Sequence, residues 1–142
     1  MIYKGACLMG PYIFVIATIV AIIPILIISK IAMGRIKENP EQREKIYSQF
    51  FIGIALSESI PLILIVYGFT NLSPVAGIEE LYVPGLIIIL FTIVATIFIF
   101  LQRVVDVTEE IKGAVATFSF IALAMTTAIP IISIVALFSM MP

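Results

Sequence analysis

Four long apolar runs set the plan of the chain: roughly Cys7–Ser29, Phe50–Thr70, Val83–Leu101 and Ala114–Met141. About 20 residues at 1.5 Å rise cover ~30 Å of hydrocarbon, so each run is long enough to cross a bilayer as a helix. Proline and glycine inside such runs are tolerated, because neighbouring helices re-satisfy the backbone. Turn and breaker residues cluster at Asn71, Ser73, Pro74 and Gly77, and Pro84-Gly85 opens the third helix. Each half therefore reads as apolar helix, charged connector, apolar helix. The pattern predicts an all-α transmembrane protein. Its four helices form two tandem hairpins, about 7–70 and 83–141, within a single integral membrane domain spanning 1–142.

The two halves also align with each other. The second helix, FFIGIALSESIPLILIVYGF, matches the fourth, SFIALAMTTAIPIISIVALF, without gaps at a shift of 69 residues. Identities include Ala55/Ala124, Ile60/Ile129, Pro61/Pro130, Ile65/Ile134 and Phe69/Phe138. The first and third helices share Thr18-Ile19-Val20-Ala21 and Thr92-Ile93-Val94-Ala95. Apolar helices resemble one another by composition, but a shared Ile-Pro at matching depth is harder to obtain by chance, and tandem duplication is the expectation. Under this alignment Glu58 corresponds to Thr127, so one half would have lost an ionisable group.

Composition agrees with the pattern. Hydrophobic residues make up 62% of the chain, charged residues 12%, and the mean hydropathy is +1.24. A soluble domain carries about a quarter charged residues, so this chain belongs in lipid. The first run is too long for a signal-peptide core and has no small-residue cleavage site, so a retained helix is expected. The lone Cys7 allows no internal disulfide. The absence of histidine excludes a histidine-based nucleophile, base or metal centre, and the net charge of −1 gives no nucleic-acid footprint. Basic residues set the orientation. The first connector holds Lys30, Arg35, Lys37, Arg43 and Lys45, the third holds Arg103 and Lys112, and the second (Asn71 to Tyr82) carries only Glu79 and Glu80. The positive-inside rule then places connectors 30–49 and 102–113 in the cytoplasm and both termini outside, with Lys4 a minor dissent.

One charge does not fit between the runs. Glu58 lies near the middle of the second, in Gly53-Ile54-Ala55-Leu56-Ser57-Glu58-Ser59-Ile60-Pro61. An ionised carboxylate at that depth costs several kcal/mol, on the order of 3 or more, and such residues are kept for ion pathways or partners. No Lys or Arg of the chain lies at its depth. The side chain is expected to be a neutral acid against lipid and to ionise where it meets water or a positive charge. A group that toggles in this way carries protons; the bland alternative is an acid that only hydrogen-bonds between helices. On a helix Glu58 neighbours Ile54, Ala55, Pro61 and Leu62. Small Gly53 and Ala55 would admit a neighbouring helix. Pro61 frees the carbonyl of Ser57 close to the carboxyl. Ser57 is expected to bond its own backbone one turn back, as are Thr126 and Thr127, while Ser59 could supply an oxygen to Na⁺.

Taken together, these residues resemble the proteolipid c subunit of rotary F-type and V-type ATPases. The resemblance rests on the polar loop Glu38-Asn39-Pro40-Glu41, followed at family-like spacing by G-x-A-L-x-E-S with Pro61 beyond it, and is strongest over residues 34–69. Two fused hairpins with a single carboxylate resemble the V-type form. The resemblance implies a homo-oligomeric ring in a prokaryotic cell membrane that carries H⁺ on Glu58. Ser59 and Leu56 would complete the ion-binding set. The implied partners are lipid, a stator subunit of the a type with an essential arginine, and central-stalk subunits contacting Arg35, Asn39, Pro40, Glu41 and Arg43. The chain itself would catalyse nothing and hold no cofactor or metal. It departs from the family in its first helix, rich in Ile, Val and Ala where glycine is usual, and in Glu38 where the loop usually begins with Arg. Ile25, the position expected to face the carboxylate, replaces the Gln of sodium-type members, which favours H⁺ over Na⁺.

Two other functions fit a lone membrane glutamate. A small multidrug-type proton antiporter has four short helices, but its carboxylate usually sits in the first helix among Trp and Tyr; this chain has no Trp. A structural or assembly protein would pair Glu58 with a partner's basic residue. Oligomer size separates the three: a many-copy ring, a dimer, or a hetero-complex without ring symmetry.

Overall fold

The computed structural model describes the backbone from Ile2 and the side chains from Gly10 to Pro142; Met1 and the side chains of Lys4 and Cys7 lie outside the described residues. Among the described residues all regular structure is helical, with no strand. The helices are α1 (Ile2–Glu38), α2 (Arg43–Thr70), α3 (Tyr82–Val104) and α4 (Lys112–Ser139), with short 3₁₀ turns at Pro40–Gln42 and Ile78–Leu81. All four are long and apolar enough to cross a membrane, so the chain is a multi-pass membrane protein.

The helices outrun the apolar segments that predict them. α1 continues nine residues past Ser29 to Glu38, and α2 begins at Arg43, so the connector expected over 30–49 is helical except for its centre. The physical reason is propensity: Arg, Lys, Glu and Gln favour helix, and only Asn39-Pro40 interrupts it. Pro40 opens the 3₁₀ turn, where a missing amide costs nothing. At the same end of the molecule, α3 stops at Val104 and α4 starts at Lys112. Lys37 ties the two connectors together: its Nζ donates to the carbonyls of Gln102 and Val105, both at 2.7 Å. Those carbonyls sit at the C-terminal end of α3, where no helical amide remains to bond them.

α1 packs against all three other helices, α4 packs against α3 and α1, and α2 meets α4 only lightly. The result is a rhombus in cross-section, with α1 and α4 on the short diagonal and α2 and α3 at the two edges. The shared seam explains why. On α1 the buried positions Thr18, Ile22, Ile25, Ser29, Ala32 and Ile36 alternate steps of four and three; on α4 so do Val115, Ser119, Ala122, Thr126, Ile129, Ser133, Ala136 and Met140. That 3.5-residue period keeps one face turned to its partner along the whole helix. Small and hydroxyl-bearing residues fill the seam, as expected where lipid offers no hydrophobic drive and close van der Waals contact must hold helices together. Away from the connector end Thr18 Oγ1 lies 3.1 Å from Ser133 Oγ and donates to Phe14 O at 2.8 Å. At the opposite end, Phe50 stacks edge-on against Phe118 with ring centroids 4.8 Å apart.

The aligned halves are therefore packed unequally. α1 and α4 are central, whereas α3 and α2, their counterparts in the repeat, are peripheral and expose rows of large aliphatic side chains such as Ile63, Val66, Leu90 and Val94. In a membrane these rows face lipid or another protein.

A half-buried glutamate at mid-depth on an edge helix

The inner face of α2 is read directly from its buried residues: Ile46, Phe50, Ile54, Pro61, Ile65 and Gly68. Steps of three and four connect them, and the row passes through Glu58, four beyond Ile54 and three before Pro61. Glu58 is half-buried, with Ala55, Ser59 and Leu62 exposed beside it. It therefore lies at the border where the inner face of α2 meets its outer surface, and is not enclosed between the two halves.

Its depth follows from the contacts of α2 with α1. A Cβ added at Gly53 would touch Ile28, and one added at Gly68 would meet Phe14 and Ile13. Counting inward from both contacts along antiparallel helices sets Glu58 level with Ile23 and Pro24. The Thr18–Ser133 contact gives the same level on α4 as Ala128, beside Thr127. The position aligned with Glu58 thus sits at the same depth in the other half. Ile25, the residue expected to face the carboxylate, is fully buried within one cluster with Ile54 and Phe50.

Prolines gather in this layer. Pro24, Pro61 and Pro130 each lie inside a helix that continues unbroken through them. Each lacks the amide that would bond the carbonyl four residues back, which frees Val20, Ser57 and Thr126 from one helical bond apiece. Ser57, adjacent to Glu58, is thereby the backbone oxygen closest in sequence to the carboxyl and short of a donor.

The hydroxyls near Glu58 are already committed. Ser57 donates to Ile54 O at 3.1 Å, and Ser59 donates to Leu56 O. The Leu56 side chain is 72% exposed on the outer face. Thr126 and Thr127 bond their own helix at Ala122 O and Leu123 O. Against this, Glu58 Oε1 is buried without a hydrogen-bond partner among the described residues. An orphaned buried oxygen is costly, roughly 1–3 kcal/mol, and leaves the carboxyl in want of a donor. A proton, a cation or a partner's basic side chain would each meet that need.

The connector residues expected to touch other subunits stand together at the far end. Arg35 Nη1 donates to Gln49 Oε1 at 2.8 Å, bracing the ends of α1 and α2. Asn39 N bonds Arg35 O, and Asn39 O accepts from Gln42 N, which shapes the turn. Glu41 and Arg43 are exposed at its tip, with Pro40 half-buried. Two features were not anticipated: the α1–α4 seam, readable as a 3.5-residue period of small residues, and the tight approach at Gly68. A Cβ there would lie 2.7 Å from Phe14 Cζ. Gly53 makes a looser contact, and Ala55, expected to admit a helix, faces outward.

Among the described residues no cluster of metal-ligating side chains is formed. No protein-family model, curated protein or solved structure matches the chain.

Proposed function

We propose that the protein is an ion-carrying subunit of a membrane rotor, in which Glu58 takes up and releases a proton as its surroundings alternate between lipid and an aqueous or positively charged site. The observation that carries this reading is the buried, unpartnered Oε1 of a glutamate at mid-depth on an edge helix. Such a carboxyl can be reached from outside the chain, as a carrier must be, yet has no internal partner that would hold it in one state. Its position near the outer surface of α2 suits exchange with a stator arginine better than a sealed site would.

The geometry supports H⁺ over Na⁺ as the ion. A bare cation needs several oxygens, and Ile25 brings none where sodium-type members of the resembled family supply Gln. Exchange of a proton requires only the carboxyl and one acceptor, and the Ser57 carbonyl, released by Pro61, is a candidate. Copies of the chain would assemble through their apolar edges into a ring, and the connector around Asn39-Pro40 would meet a central stalk.

The test is labelling with dicyclohexylcarbodiimide, which modifies protonated carboxyls accessible from lipid. Single-site modification at Glu58, slowing as pH rises, is expected. Protection by Na⁺ at neutral pH would reverse the ion assignment, and absence of labelling would remove the carrier role. The mass of the detergent-stable oligomer checks the assembly separately: many copies fit a rotor, and a dimer fits a small proton antiporter instead.

A further inference from the structure

A cleft of about 420 Å³ opens between α1 and α3 at the connector end of the molecule, in the size range of small-ligand sites. Its lining is divided by chemistry. Met33, Phe98 and Leu101 supply its apolar lining, and Lys30, Lys37, Gln102 and Asp106 its polar lining. Lys37 is committed to the α3 carbonyls and has Asp106 as its nearby counter-charge. Lys30 lies exposed at the end of the apolar part of α1, and Gln102 Nε2 is buried without an acceptor among the described residues. A cation and a residue with an unmatched donor therefore line one space together with apolar side chains that suit a hydrocarbon chain.

We propose that this cleft binds the phosphodiester headgroup of an anionic phospholipid, with Lys30 and the Gln102 amide on the phosphate and an acyl chain along Phe98 and Leu101. Three features favour a lipid over a free anion: apolar side chains line the same space as the cation, the site lies where a helix leaves the hydrocarbon, and the ligand is already concentrated at that level. Basic pockets between spanning helices at this level are suited to anionic headgroups. The site is separate from Glu58, which lies at mid-depth on another helix, so it stands whether or not the rotor reading does.

The experiment uses the full chain, purified and delipidated in detergent, titrated with dioleoylphosphatidylglycerol and, separately, with dioleoylphosphatidylcholine, read by native mass spectrometry. Tighter binding of the phosphatidylglycerol is expected, with Lys30→Gln weakening it about fivefold, the equivalent of about 1 kcal/mol for one interfacial cation. A second variant keeps the test independent of Lys30. A Cβ at Gly34 meets nothing within 4 Å, so Gly34→Leu starts its side chain in open space at the cleft and is expected to weaken binding as well, with the unfolding midpoint checked alongside. Lys45→Gln, on the exposed start of α2, removes the same charge elsewhere and is expected to leave affinity unchanged. Equal affinity for the two lipids, full binding in both cleft variants, an equal loss in Lys45→Gln, or displacement by inorganic phosphate would each overturn the proposal.

Discussion

Glu58 gathers most of what is distinctive at the scale of single residues. Replacing it with Gln keeps size and hydrogen-bonding capacity but removes the proton that can be exchanged. Glu58→Gln is therefore expected to assemble normally and to lose proton translocation, measured in reconstituted vesicles; retained translocation would end the carrier proposal. Ser59→Ala removes only a bond to Leu56 O on an exposed face, so it is expected to leave proton uptake and stability nearly unchanged. Gly68 is the opposite case, a residue with no chemistry whose space is required. Phe14 is fully buried, and a methyl group 2.7 Å from its ring forces either the ring or the helix to shift. Gly68→Ala is expected to destabilise by about 1–3 kcal/mol, seen as a lower unfolding midpoint in detergent. The glutamate was visible in the sequence because a charge in an apolar run has no ordinary explanation. Gly68 was not, because the need for a missing side chain is defined by another helix.

At the scale of helices, ends and seams decide stability. Lys37 spans from α1 to the exposed carbonyls that finish α3. Lys37→Met keeps the apolar stem and deletes the charge-assisted bonds. The expected loss is about 1 kcal/mol, with faster amide exchange confined to the last turn of α3. In the seam, Thr18→Val keeps shape and removes the hydroxyl that faces Ser133. Interhelical bonds of this kind average about 0.6 kcal/mol in membranes, so a small loss of that order is expected in an unfolding titration. Four apolar runs gave the number and order of helices without the structure, since length and hydropathy follow from bilayer thickness. Their ends did not follow. Charged residues such as Arg35, Lys37 and Arg43 are as content in a helix as in a connector, and only Asn39-Pro40 forces the break.

For the whole molecule, two central and two edge helices leave α2 and α3 with wide apolar outer faces on opposite sides. Glu58 lies on one of those edges, which is where a subunit in a ring would meet a neighbour or a stator. The aligned halves predict two equivalent hairpins, and the packing treats them differently, because α1 and α4 bury one face each against the other along most of their length. Membrane crossing, the mid-depth position of a lone carboxyl and the proline beside it were determined by the sequence alone, since each depends on composition and distance along one helix. Which face of α2 turns inward, how far Glu58 is covered, that its neighbouring hydroxyls are spent on their own helix, and that a cationic cleft forms between α1 and α3 were decided only by tertiary structure. Those properties arise from contacts between residues far apart in the chain, and no local pattern encodes which helix will supply the other half.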